Sequence, residues 1–217
     1  MIRLFAGYDA REAIGFAVFV DSVIRHASQP VSITPLASQG LPQGSNEFTL
    51  SRFLVPYLCN FEGHAIFADG CDMLMVDDVA ELDAFFDPRC PVQVVQHKDY
   101  ETIHARKYVG TTMECENRNY HRKNWASLMI INCEHDHWRG LEPQSLQYAS
   151  AISLLDMRHV PNIGALPAEW NVLADERQDA FGAKLLHWTA GIPAFDHYRD
   201  APCAKQWHAA RAAMERI

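Results

Sequence analysis

The chain lacks any run of about 18 consecutive apolar residues, the length that a membrane-spanning helix needs. Its opening, MIRLFAGYDAREAIG, carries charge where a signal peptide needs an apolar core. A soluble protein with no transmembrane segment is therefore expected. Basic charge is also short, with 19 Lys and Arg against 27 Asp and Glu for a formal net charge of −8. That balance makes a nucleic-acid backbone a poor main partner. None of the six cysteines (Cys59, Cys71, Cys90, Cys115, Cys133, Cys203) belongs to a CxxC pair. The spacing thus supports neither a zinc knuckle nor a disulfide framework, and reduced thiols in a cytoplasmic protein are expected. GxGxxG, GxxxxGK[ST], HExxH and GxSxG are all missing. Their absence removes the signatures of dinucleotide binding, P-loop, zincin and nucleophile-elbow chemistry. No repeat, low-complexity tract or linker divides the 217 residues, so one domain is expected over 1–217.

What is present alternates between strand and helix. Ile2 to Ala6 is a short apolar run closed by Gly7 and reads as a buried strand. Asp9 and Glu12 have capping-box spacing, and Ala13, Phe16, Val20, Val23 and Ala27 follow at helical intervals. Val31 to Leu36 completes a βαβ unit. Beyond the polar loop QGLPQGSNE (39–47), a helix over TLSRFLVPYL would line Leu50, Phe53, Leu54, Tyr57 and Leu58 along one face, with Pro56 near its first turn or at a kink. Strands are expected at His64 to Ala68, Val92 to Gln96, Leu128 to Asn132 and Lys184 to His187, and helices at Val79 to Phe86 and Gln144 to Leu154. The pattern predicts an α/β fold with a mostly parallel sheet and helices on both faces. His97 to Asn124 is polar, aromatic and basic, shows little periodicity and is too long for a simple connector, so it reads as a functional excursion from the sheet.

Three stretches carry possible chemistry. In AIFADGCDMLMVDDVAEL (65–82), a buried strand delivers Asp69 and Asp72 to its carboxyl end, the edge where open α/β sheets bind ligands. Two acids three residues apart can converge on Mg²⁺ or Mn²⁺ and leave coordination sites for diphosphate oxygens. An Asp-Gly turn with solvated acids is the commoner meaning of an isolated DGxD. Asp77 and Asp78 suit a helix N-terminus. In RKYVGTTMECENRNYHRKNWAS, the cations Arg106, Lys107, Arg118, Arg122 and Lys123 interleave with Tyr108, Tyr120 and Trp125. Aromatics can stack on sugar faces while cations meet phosphates or acidic sugars; a solvated charged loop is the alternative. His135-Asp136-His137 would alternate faces on a strand, so a surface loop is expected there rather than a metal site.

The order SRFLVPYL, then AIFADGCDMLMVDDVAEL, resembles glycosyltransferases of family 8, in which an Arg-bearing helix precedes a strand ending in a DxD metal motif. LMIIN (128–132), LPAEWNVL (166–173) and LLHWTAGIP (185–193) resemble three further segments of that family in the same order. The resemblance spans nearly the whole chain and implies a GT-A (Rossmann-like) nucleotide-diphosphate-sugar transferase fold. It also implies a metal-dependent, retaining transfer of a hexosyl group from a nucleotide-sugar donor, a UDP-sugar, to a hydroxyl acceptor such as a carbohydrate. By the same resemblance, Ala6, Tyr8 and Asp9 would hold uracil and ribose, and Arg52 would reach the donor sugar and diphosphate. Asp69 or Asp72, with His187, would hold Mn²⁺ or Mg²⁺, and Gly191 would belong to the phosphate loop. The spacing of Asp72 to the following helix favours it over Asp69. Residues 97–124 would face the acceptor, through Arg118 and Arg122, with Trp125 beside them. No catalytic nucleophile is singled out.

Departures from the family pattern are specific. DxD is stretched to Asp69-Gly70-Cys71-Asp72, and the Asn-Ala-Gly segment reads Trp125-Ala126-Ser127. The late Lys-Pro-Trp is missing, since Gly191 is followed by Ile192-Pro193-Ala194-Phe195. A diphosphate-binding lysine must then come from elsewhere, with Lys184 or Arg199 as stand-ins. Two alternatives stay open: a non-catalytic nucleotide-sugar-binding protein on the same fold, and a metal-dependent nucleotidyltransferase. The second is poorly served by Gly7-Tyr8-Asp9-Ala10-Arg11, which lacks a glycine-rich phosphate loop.

Overall fold

The computed structural model describes residues 1–38, 40–42, 44–176 and 179–214; Gln39 and Gln43, within the polar loop expected at 39–47, lie outside the described residues. β1 (Ile2–Gly7) passes through a 3₁₀ turn (Ala10–Glu12) into α1 (Ala13–His26) and β2 (Val31–Leu36). A second 3₁₀ turn (Ser51–Leu54) precedes α2 (Val55–Leu58), β3 (His64–Ala68), β4 (Met73–Met75), α3 (Val79–Asp83) and β5 (Val92–Val95). The 97–124 stretch contributes one small hairpin, β6 (Arg106–Lys107) and β7 (Cys115–Glu116). Then follow β8 (Leu128–Asn132), α4 (Pro143–Leu146), α5 (Ala151–Leu155), β9 (Gly164–Leu166), β10 (Val172–Leu173), β11 (Leu185–His187) and α6 (Ala204–Met214).

The main sheet has the order β2-β1-β3-β8-β5-β9. β1 runs parallel to β2 and β3, and β5 parallel to β9, while β8 runs against both its neighbours. The expected mostly parallel sheet is thus present, with one reversed strand. The inner strands are buried on both faces and mostly apolar, each with a single polar residue (Arg3, His64, Gln93 or Asn132), whereas β2 alternates, lies at the edge and tolerates Pro35 there. Leu4, Ile66 and Ile130 pack with Phe19 and Val23 of α1 and Leu82 of α3. Phe5, Phe67, Met129 and Val94 pack with Leu54, Val55, Trp138 and Leu146. Helices therefore cover both faces, as expected.

Four local expectations are corrected. Tyr57 and Leu58 are 40% and 47% exposed, although Leu50, Phe53 and Leu54 are buried. The segment winds first as 3₁₀ and then as a single α-turn with Pro56 in its first turn, so a 3.6-residue stripe cannot run through it. The helix expected over Gln144 to Leu154 is broken into α4 and α5, because Ser150 caps a fresh N-terminus by accepting from the Ser153 N–H. Likewise the helix expected over Val79 to Phe86 ends at Asp83. The capping box at Asp9 and Glu12 is half made. Asp9 caps the turn, but both carboxylate oxygens of Glu12 are buried and accept no hydrogen bond.

The strand expected near Lys184 to His187 joins a separate sheet of order β10-β11-β4, antiparallel to β4. All six cysteines are free thiols. No helix of the described residues is long and apolar enough to cross a membrane.

α1 crosses directly beneath the turn that carries the two acids, and Gly15 permits this: a Cβ there would stand 2.0 Å from the Cys71 carbonyl oxygen. Gly15→Ala is expected to lower stability by about 1–3 kcal/mol through overpacking, despite the higher helix propensity of alanine. An unchanged urea midpoint would contradict this close approach.

Candidate functional site

Asp69 follows the last residue of β3, and its N–H donates to the Ser127 carbonyl at 2.8 Å. Gly70 then turns the chain with φ 75°, and a Cβ on it would meet the Gly7 carbonyl oxygen at 2.9 Å. Only glycine meets both demands without strain. The Met73 N–H closes the turn on the Gly70 carbonyl at 3.1 Å and starts β4 in the second sheet. The stretched Asp69-Gly70-Cys71-Asp72 therefore spans the junction between two sheets, one acid at the end of each.

β11 brings the third group. His187 stands opposite Met73 in the β11–β4 ladder, and the Trp188 N–H donates to the Asp72 carbonyl at 2.9 Å. Ligand atoms of Asp69, Asp72 and His187 lie within 4.8 Å of one another, and all three residues are buried. His187 Nε2 is 3.5 Å from Asp72 Oδ2.

The hydrogen bonds around His187 fix its tautomer. The Ser127 hydroxyl donates to the Asn124 carbonyl at 2.6 Å, so its oxygen accepts from Asn171 Nδ2 at 2.8 Å. Asn171 Oδ1 then faces His187 Nδ1 at 3.0 Å and must accept a proton from it. In the neutral imidazole the unprotonated nitrogen is then Nε2, the one on the Asp72 side and the one able to ligate a metal. Asp69 Oδ1 and Asp72 Oδ1 are buried and accept no aligned hydrogen bond. Converging buried acceptors without donors are costly alone and suit a hard divalent cation, with Asn171 as the outer-shell partner of the histidine.

Arg52 supplies fixed positive charge beside them. Its Nη1 lies 2.6 Å from Asp69 Oδ1, yet the N–H is aligned on the Ala126 carbonyl at 2.8 Å, so Oδ1 gains charge compensation without an aligned hydrogen bond. Nε donates to the Thr49 carbonyl, and the guanidinium lies 5.5 Å from the Phe48 ring centroid and 5.0 Å from that of Phe67. Burial holds Asp69 up to about 6, against the pull of Arg52. Burial opposes the imidazolium of His187, but Asp72, Asp69 and Asp175 more than offset this and raise it above the usual histidine value. Glu12 is raised well above the carboxylate range by burial and by the charges of Asp72 and Asp9.

These groups surround a cavity of about 70 Å³ whose outer wall includes Lys107, Tyr108, Tyr120 and Asn124 from the excursion. The Tyr108 N–H donates to the Ala190 carbonyl at 2.6 Å, and Lys107 Nζ donates to Ser45 Oγ at 2.9 Å. The start of the excursion is tied down by Glu176, which accepts from the Tyr100 hydroxyl at 2.7 Å, the Ile103 N–H at 2.9 Å and the Thr189 hydroxyl at 3.1 Å. Asp175 accepts from the N–H groups of Thr189 and Ala190, fixing the turn before Gly191.

Other sequence-selected residues lie further out. Ala6 is buried in β1, its Cβ against the Gly70 turn. Tyr8 stands edge-on to Phe16 and lines a separate depression of about 320 Å³ with Pro35, Leu36 and Leu54. Burial would raise Asp9, but the Arg11 side chain and the N–H groups of Arg11 and Glu47 hold its carboxyl below the usual range. Its oxygens are already engaged by these partners. A Cβ at Gly191 would overlap the Tyr198 ring at 2.4 Å.

Arg118 pairs with Glu116 at 2.7 Å in the groove next to the cavity. Arg122 donates to the Met157 carbonyl at 2.9 Å and stacks on Trp125, and both face a different groove with His97 and Tyr100. Lys184 pairs with Asp77 and Glu81, and Arg199 with Asp196, so neither stand-in cation reaches the cavity. The lysine that does is Lys107, one of several cations that spacing alone could not rank. Asn171 lies in the Trp-Asn pair of LPAEWN, but its partner is set by a strand pairing that the sequence does not display. His135 caps a 3₁₀ turn and His137 stacks on His159, apart from the site.

No known sequence-family profile matches the chain. Protein CDI of Arabidopsis thaliana is 32% identical over 223 residues, a match covering 94% of this chain and 84% of that protein. The chain belongs to the Protein CDI family. Among solved structures, this family member is similar to the galactosyltransferase LgtC in complex with donor and acceptor sugar analogs, with TM-score 0.64, 13% identity, and coverage of 100% of this chain and 97% of that one. It is also similar to the glycosyltransferase GlyE of Streptococcus pneumoniae TIGR4, with TM-score 0.65, 12% identity, and coverage of 98% of this chain and 61% of that one. The bifunctional WbbM matches with TM-score 0.60 and 15% identity over 96% of this chain and 51% of its own. The family 8-like GT-A fold implied by the sequence resemblance is the fold observed.

Asp72→Ala and His187→Ala are each expected to abolish Mn²⁺ binding in calorimetric titration. Asn171→Ala should weaken it by about 10–100-fold, as loss of an outer-shell partner does. Wild-type Mn²⁺ affinity in the Asn171 variant would show that the tautomer argument is wrong.

Proposed function

We propose that this chain is a metal-dependent, retaining glycosyltransferase that moves a hexosyl group from a UDP-sugar to a hydroxyl acceptor. The observation that carries the reading is the convergence of buried Asp69, Asp72 and His187, with Oδ1 of each acid accepting no aligned hydrogen bond, at the sheet edge of a glycosyltransferase fold. A Mn²⁺ or Mg²⁺ ion held by these three residues would neutralise charge on the departing diphosphate.

The chain's own groups divide the remaining work. Arg52, locked by Thr49, Ala126, Asp69 and two aromatic rings, presents charge that need not reorganise during reaction. Lys107 takes the place of the lysine missing after Gly191. Asn171 keeps the His187 proton on Nδ1, while Tyr108 and Tyr120 wall the cavity against water. Tyr8, with Ala6 and Asp9 behind it, offers the base a partly apolar depression, and Gly191 keeps the neighbouring turn close. A cavity of about 70 Å³ is far smaller than the several hundred a nucleotide sugar needs, so the Lys107-Tyr108 wall moves outward on donor entry.

LgtC is seen with both donor and acceptor sugar analogs, which supports a two-substrate reading of the same edge here. Among the described residues lining the cavity, the carboxylates are Asp69 and Asp72, both assigned to metal, in keeping with front-face transfer. The six free thiols suit a reducing compartment such as the cytoplasm.

The test is release of UDP from a panel of UDP-hexoses with Mn²⁺, using EDTA as the control. The expected result is metal-dependent release from at least one donor, lowered about a hundredfold or more in Asp72→Ala. Metal-dependent binding without release would identify a non-catalytic binder. Absence of both would remove the nucleotide-sugar reading.

A further inference from the structure

A second opening adjoins the cavity. It is a groove of about 320 Å³ between the excursion and α5, and it shares Thr49, Lys107, Tyr120, Asn124 and Thr189 with the cavity wall. One side of the groove is cationic, with Lys107, Lys123 and Arg118. The other is apolar, with Ala151, Ile152 and Leu155 of α5. Ile152 is 54% exposed, an aliphatic side chain left facing the opening.

Lys123 is the informative residue. It is only 6% exposed, yet its ammonium donates to neutral oxygens alone, Asn117 Oδ1 at 2.5 Å and the Arg118 carbonyl at 2.8 Å. Lys107 likewise donates only to Ser45 Oγ. Among the described residues neither lysine forms an ion pair with a carboxylate. Glu116, the acid of the groove, is matched by Arg118, and the oxygens of Glu176 are taken by Tyr100, Thr102, Ile103 and Thr189. Buried ammonium groups are ordinarily paired, because the loss of hydration is otherwise uncompensated. Burial and the neighbouring Lys107 charge together hold Lys123 down to about 8. Three cations against one carboxylate, with the most buried cation lacking a counter-ion, form half of an ionic contact.

We propose that this groove is the acceptor site, and that the acceptor is an amphiphilic anion. Its carboxylate or phosphate would sit on Lys123, beside Lys107, which the groove shares with the cavity, and its apolar portion would lie along Ile152 and Leu155. The proposal rests on the glycosyltransferase reading. The donor's own diphosphate is a poorer occupant, since Lys123 lines the groove and not the cavity of Asp69, Asp72 and His187.

A matched pair of probes tests this: octyl β-D-glucuronide and octyl β-D-glucoside, which share the tail and ring and differ in a carboxylate. Binding is measured by calorimetry with Mn²⁺ and UDP present. The wild type is expected to prefer the glucuronide by about tenfold, in line with one charge-assisted contact. Lys123→Met, which keeps the stem and removes the charge, should bring that ratio close to one. Ile152→Asp should weaken both octyl probes and leave methyl β-D-glucuronide unaffected. Competition by octyl phosphate against octanoate tells a phosphate from a carboxylate acceptor.

Should Lys123→Met fail to fold, Arg118→Gln on the exposed rim is expected to lower the preference by about two- to threefold. A wild-type ratio near one, or a ratio unchanged in the lysine variant, overturns the proposal. If the wild type shows no metal-dependent UDP binding, the glycosyltransferase reading fails. The same probe pair on nucleotide-free protein then still decides whether the groove selects anions.

Discussion

The antiparallel register of β4 with β11, which sets His187 opposite Met73, is the constraint on which the site depends. Asp69 closes a strand of the main sheet, Asp72 opens the smaller one, and the histidine arrives from a segment more than a hundred residues later in the chain. A slip of one residue in that ladder would turn His187 to the opposite face and leave two carboxylates without their third partner. The fold protects the register from both directions. The Trp188 N–H ties directly to the Asp72 carbonyl, and Asn171 grips the imidazole from the β10 side. The extra residue between the two acids, relative to DxD, is what a chain needs to step from one sheet to the next at Gly70.

This arrangement places four acids, Asp9, Glu12, Asp69 and Asp72, in a small buried volume. Asp9 is satisfied by Arg11 and two backbone N–H groups, whereas Asp69 leans on Arg52. Glu12 accepts no hydrogen bond, and burial together with the charges of Asp72 and Asp9 raises it well above the usual carboxylate value. Like charges at such separation oppose folding, so the chain holds a locally unfavourable cluster that apolar packing on both sheet faces must offset. A cation would relieve the strain at the point where Asp69 and Asp72 converge. The same groups that cost stability in isolation are thus the ones preorganised for a metal.

Legibility in the sequence followed periodicity and failed where partners are remote. The runs 2–6, 64–68 and 128–132 read as buried strands because strands covered on both faces are near-continuously apolar, here with only Arg3, His64 and Asn132 as exceptions. The DGCD turn was legible because its acids follow such a run. Tyr57 and Leu58 misled because a 3₁₀ turn resets the helical phase, a switch that residue type does not announce. Glu12 fitted a capping box by spacing, yet its side chain was drawn into the core instead. Across residues 106–127, five cations and three aromatics were indistinguishable by spacing. Neutral partners, Ser45 for Lys107 and Asn117 for buried Lys123, separate these two from Arg118, which pairs on the surface, and from Arg122, which turns toward Met157.

The two sides of the site are held by different kinds of force. On the metal-site side, Arg52 is fixed by the carbonyls of Thr49 and Ala126, and His187 by Asn171 and by its place in the β11–β4 ladder, which gives rigid geometry. On the excursion side, the wall is a short hairpin and irregular chain, anchored at one end by Glu176 and at the other by Lys123, with Tyr108 and Met113 as its buried apolar residues between. A segment stabilised mainly by polar anchors opens at lower free energy than the sheet does. The anchors also determine what opening requires. Glu176 holds residues 100–103 to the turn at Thr189, while the Lys107-Tyr108 wall over the small cavity is held by the Tyr108 N–H on the Ala190 carbonyl and by Lys107 on Ser45, contacts that must break for it to move. An anion settling on Lys123 and Lys107 would draw that wall toward α5, coupling occupancy of the groove to closure over the buried acids.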